Sequence, residues 1–293
     1  AWWGYETGQT AWGVAYGDGA AIACVGYEST SDRSTSSFLF YDHVHDTFVT
    51  RTVTWNVDNY RSLYSSADSL LEFGVFCNDA VRAGGTWWLA YYDGGLLRWD
   101  SADATPRVYM PGVDSVTFEL SSFPRSAQDS LFAKPLHRAV GVEASVDSTG
   151  TLALWCASAG AVWTLSPSDT IWDTLSTRFD NGELRLVEFL DVHVDTHAHP
   201  PIVYATVAVS DAQRDTLVSL FRYASGEWHE VFGETLGDPR PPRVVSFAGH
   251  GYIYVADSAQ VHLLLDTAGT VSMAADGRSF SRRMLAATDD VMW

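Results

Sequence analysis

A short strand that ends in an aromatic residue or leucine and then runs into a polar turn comes back five times along this chain. The copies are Phe38-Leu39-Phe40-Tyr41-Asp42, Leu96-Leu97-Arg98-Trp99-Asp100, Val162-Trp163-Thr164-Leu165-Ser166, Val218-Ser219-Leu220-Phe221-Arg222-Tyr223 and Val261-His262-Leu263-Leu264-Leu265-Asp266. A further strand can follow a copy, as in Thr47-Phe48-Val49, Thr170-Ile171-Trp172 and Glu227-Trp228-His229-Glu230-Val231. Others precede it, most clearly in RAVGVEASVDSTGTLALWCASAG (138–160) and RVVSFAGHGYIYVADSAQ (243–260). In the first of these, Ala139 to Val142 reads as one strand, Asp147 to Gly150 as a turn, and Leu152 to Cys156 as the return strand. Apolar residues alternate with polar or small ones over short runs broken by Gly, Asp, Ser and Asn, which is a strand pattern.

Two hairpins in succession make a four-stranded antiparallel unit. Such units repeated at roughly 40 to 60 residues are the sequence form of propeller blades. The predicted fold class is therefore all-β, a β-propeller of four-stranded blades occupying 1–293 as one domain. Inner strands are expected to begin near Trp12, Leu71, Arg138, Leu184, Arg243 and Arg283. That makes five whole blades and the start of a sixth. Arg282 to Trp293 supplies one strand, an Asp-Asp turn and the opening of a second, and Ala1 to Thr10 (AWWGYETGQT) belongs to no other blade. Pairing these ends would give a six-bladed ring with a composite last blade and would protect both open edges. The alternative is a chain that continues past Trp293. A candidate insertion lies at about 111–136, between blades 2 and 3. It reads either as a lid or binding loop, or as blade 2's outer strand plus an edge cover. The stretch Glu28 to Ser37 is polar and is expected to be a flexible loop.

The run Gly84-Gly85-Thr86-Trp87-Trp88-Leu89-Ala90, followed by Gly94-Gly95-Leu96-Leu97-Arg98-Trp99-Asp100, resembles a two-component-regulator-type propeller repeat. Asp147 to Trp163 is a looser copy, in which Trp155 falls later after its glycine than Trp87 does. The resemblance implies a propeller of the kind found in bacterial sensor ectodomains and secreted proteins. It brings no catalytic residues, because one fold serves many functions.

Charge narrows the partners. The chain carries 36 acidic residues against 18 Lys and Arg, a net charge of −18, and Lys134 is its only lysine. Such a surface repels phosphate backbones and argues against nucleic acid as a partner. The abundance of Asp with a single Lys is halophilic-like, suited to hydration in strong salt; a GC-rich genome gives the same bias. No apolar run is long enough to span a membrane. The chain begins at Ala1 without Met, as a mature chain does after signal-peptide removal, so an extracellular or cell-surface location is expected. Cys24, Cys77 and Cys156 are scattered, outside any CxxC pair, and lie in apolar strand-like runs. They read as buried free thiols rather than one bridge and a spare.

The most unusual stretch runs from Asp191 to His199 (DVHVDTHAH). Extended, it puts Asp191, His193, Asp195, His197 and His199 on one face, where carboxylate and imidazole at i, i+2 can chelate zinc or another divalent metal. The competing reading is a solvent-facing strand and turn rich in histidine. His43 and His45 form a second pair, read as the polar tip of blade 1's last hairpin. The many tryptophans, among them Trp87, Trp88, Trp99, Trp155, Trp163, Trp172 and Trp228, read as filling between blades rather than as a sugar-stacking surface. Trp2 and Trp3, near the chain's start, are the ones free to be exposed.

No GxSxG elbow or Walker loop is present, and nothing selects a catalytic pair among the carboxylates. Three functions follow. The first is a non-enzymatic extracellular binding or scaffold module that holds a protein or glycan partner on a face of the propeller. The second is a structural subunit of an extracellular filament or appendage, self-assembling through its termini. The third is a metal-dependent hydrolase or lactonase-like propeller enzyme, which requires carboxylates or Asn converging on the axis from several inner strands with His close by.

Overall fold

The computed structural model describes residues 13–17, 20–29, 33–42, 45–56, 76–92, 95–102, 106–110, 113–117, 139–146, 150–158, 160–166, 172–195, 201–212, 216–232, 243–247, 250–256, 260–265 and 269–274. Their strands form five antiparallel sheets, each made of consecutive strands in up-and-down order. Sheet 1 holds β1 (Gly13–Gly17), β2 (Ala20–Ser29), β3 (Arg33–Asp42) and β4 (Thr47–Asn56). Sheet 2 holds β5 (Phe76–Ala83), β6 (Thr86–Tyr92), β7 (Gly95–Trp99), β8 (Arg107–Met110) and β9 (Val113–Thr117). Sheet 3 holds β10 (Ala139–Val146), β11 (Leu152–Ser158), β12 (Ala161–Leu165) and β13 (Trp172–Thr174). Sheet 4 holds β14 (Arg185–Asp195), β15 (Ile202–Ser210), β16 (Thr216–Ala224) and β17 (Glu227–Phe232). Sheet 5 holds β18 (Arg243–Phe247), β19 (His250–Ala256), β20 (Gln260–Leu265) and β21 (Gly269–Ala274).

The five repeated strands of the sequence are the third strands β3, β7, β12, β16 and β20. Turn chemistry sets their hairpins. Gly84 and Gly85, between β5 and β6, both have positive φ (60° and 77°), as a two-residue primed turn requires.

What separates a propeller from a sandwich is burial on both faces. In β15 the seven residues Val203 to Val209 are all buried, odd and even alike. Sheet 3 shows where the two faces go. Val142, Leu154, Cys156, Trp163 and Leu165 pack with Trp88, Ala90 and Leu96 of sheet 2 in one cluster. Val140, Ala157 and Val162 pack with Val192, Val203, Val207, Phe221 and Trp228 of sheet 4 in another. A sheet with a separate core on each face is a blade between two blades, and the first strands of successive sheets, β1, β5, β10 and β14, lie side by side at the inner edge. The fold is a β-propeller.

Large aromatics fill the gaps, as the tryptophan pattern predicts. Phe38 and Phe40 of sheet 1 meet Trp99 of sheet 2 edge-on at 5.5 and 4.8 Å. Trp87, Trp88, Trp99 and Trp228 are each no more than 2% exposed. Trp2, Trp3 and Trp172 are not among the residues whose side chains are described.

One sequence expectation is corrected, and two others fall largely outside the described residues. The expected flexible loop at Glu28 to Ser37 is for the most part paired strand, with Glu28 opposite Thr35 and Ser29 opposite Ser34. Ser and Thr there sit on a pleated surface, which tolerates β-branched and small polar side chains. The insertion at 111–136 begins as β9, a fifth strand antiparallel to β8, with Val108 opposite Val116; 118–136 lie outside the described residues. So do residues 1–12 and 275–293, on which the composite sixth blade depends.

Neighbouring inner strands approach closely at one glycine. A Cβ on Gly141 of β10 would lie 2.5 Å from Asp191 Oδ1 and 3.1 Å from the Val192 nitrogen of β14. The segment between sheets 3 and 4 closes an outer edge. The Leu175 N–H donates to the Val162 carbonyl of sheet 3 (2.9 Å). Four residues on, Phe179 bridges in parallel to Trp228 of β17, with Trp228 N–H donating to the Arg178 carbonyl (2.8 Å) and Asp180 N–H to the Trp228 carbonyl (2.9 Å). Phe179 itself is buried against Phe221, with ring centroids 4.9 Å apart. An edge strand that would otherwise expose donors and acceptors is thereby paired.

Two predictions follow from this packing. Gly141→Ala forces β10 and β14 apart and is expected to lower stability by about 1–3 kcal/mol, read by urea unfolding. Burial pushes the Cys156 thiol from its ordinary 9.0 up to about 12, and burial likewise raises Cys77 and Tyr91 well above their usual values. The unfolded chain therefore releases these protons first, so stability that is intact below pH 9 falls as pH rises towards 12. Alkaline titration followed by tryptophan fluorescence should show this loss, with Cys156→Ala reducing the slope by about 1.4 kcal/mol per pH unit.

Candidate functional site

A strand at the inner edge of a blade has no neighbour on its axial side, so alternate backbone N–H and C=O groups need partners from elsewhere. This requirement shapes the site. Bulges fall at matching places on three inner strands: between Cys77 and Asp79 on β5, Ala139 and Gly141 on β10, and Phe189 and Asp191 on β14. Asp79, Gly141 and Asp191 are thus equivalent positions, as are Val81, Glu143 and His193 two residues further on.

Asn78 and Asp79 of sheet 2 reach the inner edge of sheet 3. The Asn78 amide donates to the Val140 carbonyl (2.8 Å), and Asp79 Oδ2 accepts from the Val142 N–H (3.0 Å). One donor and one acceptor, two backbone positions apart, stand in for a paired strand. At the next junction the residue equivalent to Asp79 is Gly141, which has no side chain to offer. There the Val192 N–H, the counterpart of the Val142 N–H, donates to Asp191 Oδ1 at 2.9 Å. That carboxylate occupies the space a Gly141 side chain would take.

Glu143 and His193 close the same junction two residues along, with Oε1 3.3 Å from Nδ1. The imidazole is well shielded, its side chain 15% exposed, and the carboxylate is half-buried at 32%. Asp191 and His193 line a small cleft with Tyr204 and Thr206 of β15 and Leu220 of β16. It has room for about one water molecule.

Of the five residues read as metal ligands, Asp191, His193 and Asp195 are described; His197 and His199 lie outside the described residues. The register of β14 against β15 puts Asp191, His193 and Asp195 opposite Thr206, Tyr204 and Ile202, two apart on one side of the strand as expected. Their setting differs from a solvent-facing strand: Asp191 and His193 are half-buried and Asp195 is 3% exposed. Among the described residues, no three His, Cys, Asp or Glu side chains come together as a metal set. In the second histidine pair, His45 is exposed in the turn between β3 and β4, where Asp46 Oδ1 accepts from the Tyr41 hydroxyl at 2.8 Å; His43 lies outside the described residues. That is a hairpin tip.

Sequence reasoning missed Asn78, Asp79 and Glu143. The signal for them lay in the alignment of the inner strands, where polar residues break otherwise apolar runs at equivalent positions.

No family model and no curated relative matches the chain. Among solved structures, the β-propeller domain of Cps50 (Swd1) from Myceliophteria thermophila is similar at 8% identity and a TM-score of 0.48, covering 94% of this chain and 76% of that one. The computationally designed Ika8 protein is similar at 9% identity and 0.45, with the same coverage. YCF48 bound to D1 peptide is similar at 10% identity and 0.42, covering 94% of this chain and 70% of that one. At such levels the likeness says nothing of function, and the assignment of the fold rests on this chain's own sheet order and two-faced burial. No helix among the described residues is long and apolar enough to cross a membrane.

The latch between sheets 2 and 3 has a direct test. Asp79→Ala leaves the Val142 N–H without its acceptor and is expected to cost about 1–3 kcal/mol in thermal or urea unfolding. Asp79→Asn keeps an oxygen in place and should cost markedly less.

Proposed function

We propose that the chain is a non-enzymatic binding or scaffold module, extracellular or at the cell surface, that holds a protein or glycan partner on one face of the propeller. The observation that carries this reading is the use made of the inner-strand polar groups. A propeller enzyme aims such groups into its axis to meet substrate or metal. Here Asn78 and Asp79 are bonded to the Val140 and Val142 backbone, and Asp191 to the Val192 N–H. They serve the joints between blades. The net charge of −18 favours partners with basic or neutral surfaces over polyanions. The run from Gly84 to Asp100, with Trp87 and Trp99 buried in the sheet 1–sheet 2 interface, supports a repeat of the two-component-regulator type.

One arrangement favours the enzyme reading. A half-buried imidazole–carboxylate pair, His193 and Glu143, beside Asp191 and Tyr204 has the composition of a small acid–base site. The third reading, a hydrolase or lactonase with a divalent metal held by Asp191, His193, Asp195, His197 and His199, would draw on this corner.

Turnover of lactones and chromogenic glycosides, measured beside elemental analysis of the purified protein, separates the readings. The binding module predicts no turnover and no stoichiometric metal, together with saturable binding to a glycan panel or to purified surface proteins. Turnover abolished by His193→Ala but not by Asp79→Asn would transfer the function to the enzyme reading. Stoichiometric zinc lost in the His193→Ala, His197→Ala double variant would establish the metal centre.

A further inference from the structure

Cys24 and Cys77 are 53 residues apart in the chain yet meet across the joint between sheets 1 and 2. Cys24 lies on β2 opposite Phe38, and Cys77 lies on β5 opposite Tyr91. The Phe38 and Tyr91 rings approach to 6.4 Å across the joint, so the two register rows abut. Cys24 and Cys77 thus lie on the facing surfaces of the two sheets, and Cys77 Sγ lies 3.5 Å from the Asp79 carbonyl. Both residues are almost fully buried, at 3% and 1% exposure. Cys156 sits elsewhere, at the joint between sheets 2 and 3, packed with Trp88, Leu154 and Trp163. All three cysteines are buried free thiols in the structure, as the sequence reading expects, and they divide into a facing pair and a separate third.

We propose that Cys24 and Cys77 form a dithiol–disulfide pair, closed by a small-molecule or protein disulfide into a covalent staple between the first two blades. The exchange balances. One cysteine thiolate attacks the oxidant's disulfide and releases one thiol; the second cysteine then attacks the mixed disulfide and releases the other. The S–S bond of the oxidant is broken, the Cys24–Cys77 bond is formed, and the two cysteine protons end on the two released thiols. The oxidant is reduced by two electrons and the cysteine pair is oxidised by two.

Burial dictates when this can occur. Thiolate is the reacting species, and in the folded protein burial keeps the Cys77 thiol protonated and out of reach. The staple therefore forms while the chain folds, before sheets 1 and 2 seal, and is slow to form or to be reduced once they have. It would tie together strands whose contact encloses a loop of more than fifty residues, and such closure restricts the unfolded chain.

The central measurement uses the unaltered chain. The protein is refolded with a glutathione redox couple, and in parallel with dithiothreitol; free thiols are then counted in denaturant, and unreduced peptides are mapped by mass spectrometry. Refolding with glutathione should leave one free thiol per chain, with Cys24 and Cys77 in one linked peptide and Cys156 alkylated. The oxidised form should melt at a higher temperature than the reduced form, and Cys156→Ala should retain that difference. Three free thiols after oxidative refolding, or a bridge that includes Cys156, would overturn the proposal. The result is independent of whether any partner or glycan binds, so it stands or falls apart from the proposed function.

Discussion

Each blade of this propeller must satisfy an inner edge that has no strand beside it, and the rest of the architecture follows from how that is done. A ladder cannot continue from one blade to the next, because neighbouring sheets stack face to face rather than edge to edge. The chain answers with side chains. Asn78 and Asp79 present one donor and one acceptor to Val140 and Val142, imitating the strand that is missing. Where glycine replaces the aspartate, the next blade supplies its own carboxylate, and the glycine's empty side provides the room. The inner strands can then stand close enough for Val140, Val192 and Val203 to exclude water between them.

That economy bears on function. Polar residues near a propeller's axis invite a catalytic reading, and three inner strands here carry them. Asn78, Asp79 and Asp191 bond backbone groups at the joints, and Glu143 meets His193 across one of them. Among the described inner-strand residues, the His193–Glu143 contact is the one whose chemistry resembles that of a proton-transfer site, and it sits beside a cleft no larger than a water molecule.

Much of the fold is legible in the sequence. Strand periodicity placed the third strands because each carries large residues towards its end; of these, Phe40, Trp99, Leu165 and Phe221 are buried between blades and Tyr41 and Tyr223 are half-buried. The paired strands at Glu28 to Ser37 were not legible, since a run of Ser, Thr and Asp reads as loop by composition and becomes strand only through its partner. The candidate site was half legible. The i, i+2 spacing of Asp191, His193 and Asp195 was visible, but their burial was not. It depends on Gly141 and Glu143, which are some fifty residues away in sequence and adjacent only once blades 3 and 4 have docked.

The stretch that enters sheet 4 is also the one that covers its far edge. Leu175 to Asp180 leaves sheet 3 and lies along β17, where Trp228 Nε1 donates to the Ser176 carbonyl (2.7 Å) and Asp180 Oδ2 meets His229 Nδ1 (2.9 Å). Only then does the chain turn into β14. The strap and the sheet it fastens are thus contiguous in the chain, and sheet 4 carries its own boundary. A module cut at the first residue of β14 would leave this strap behind on its neighbour and expose Trp228. Taken with its strap, this blade runs from Leu175 to Phe232, ten residues longer at its start than its strands alone would suggest.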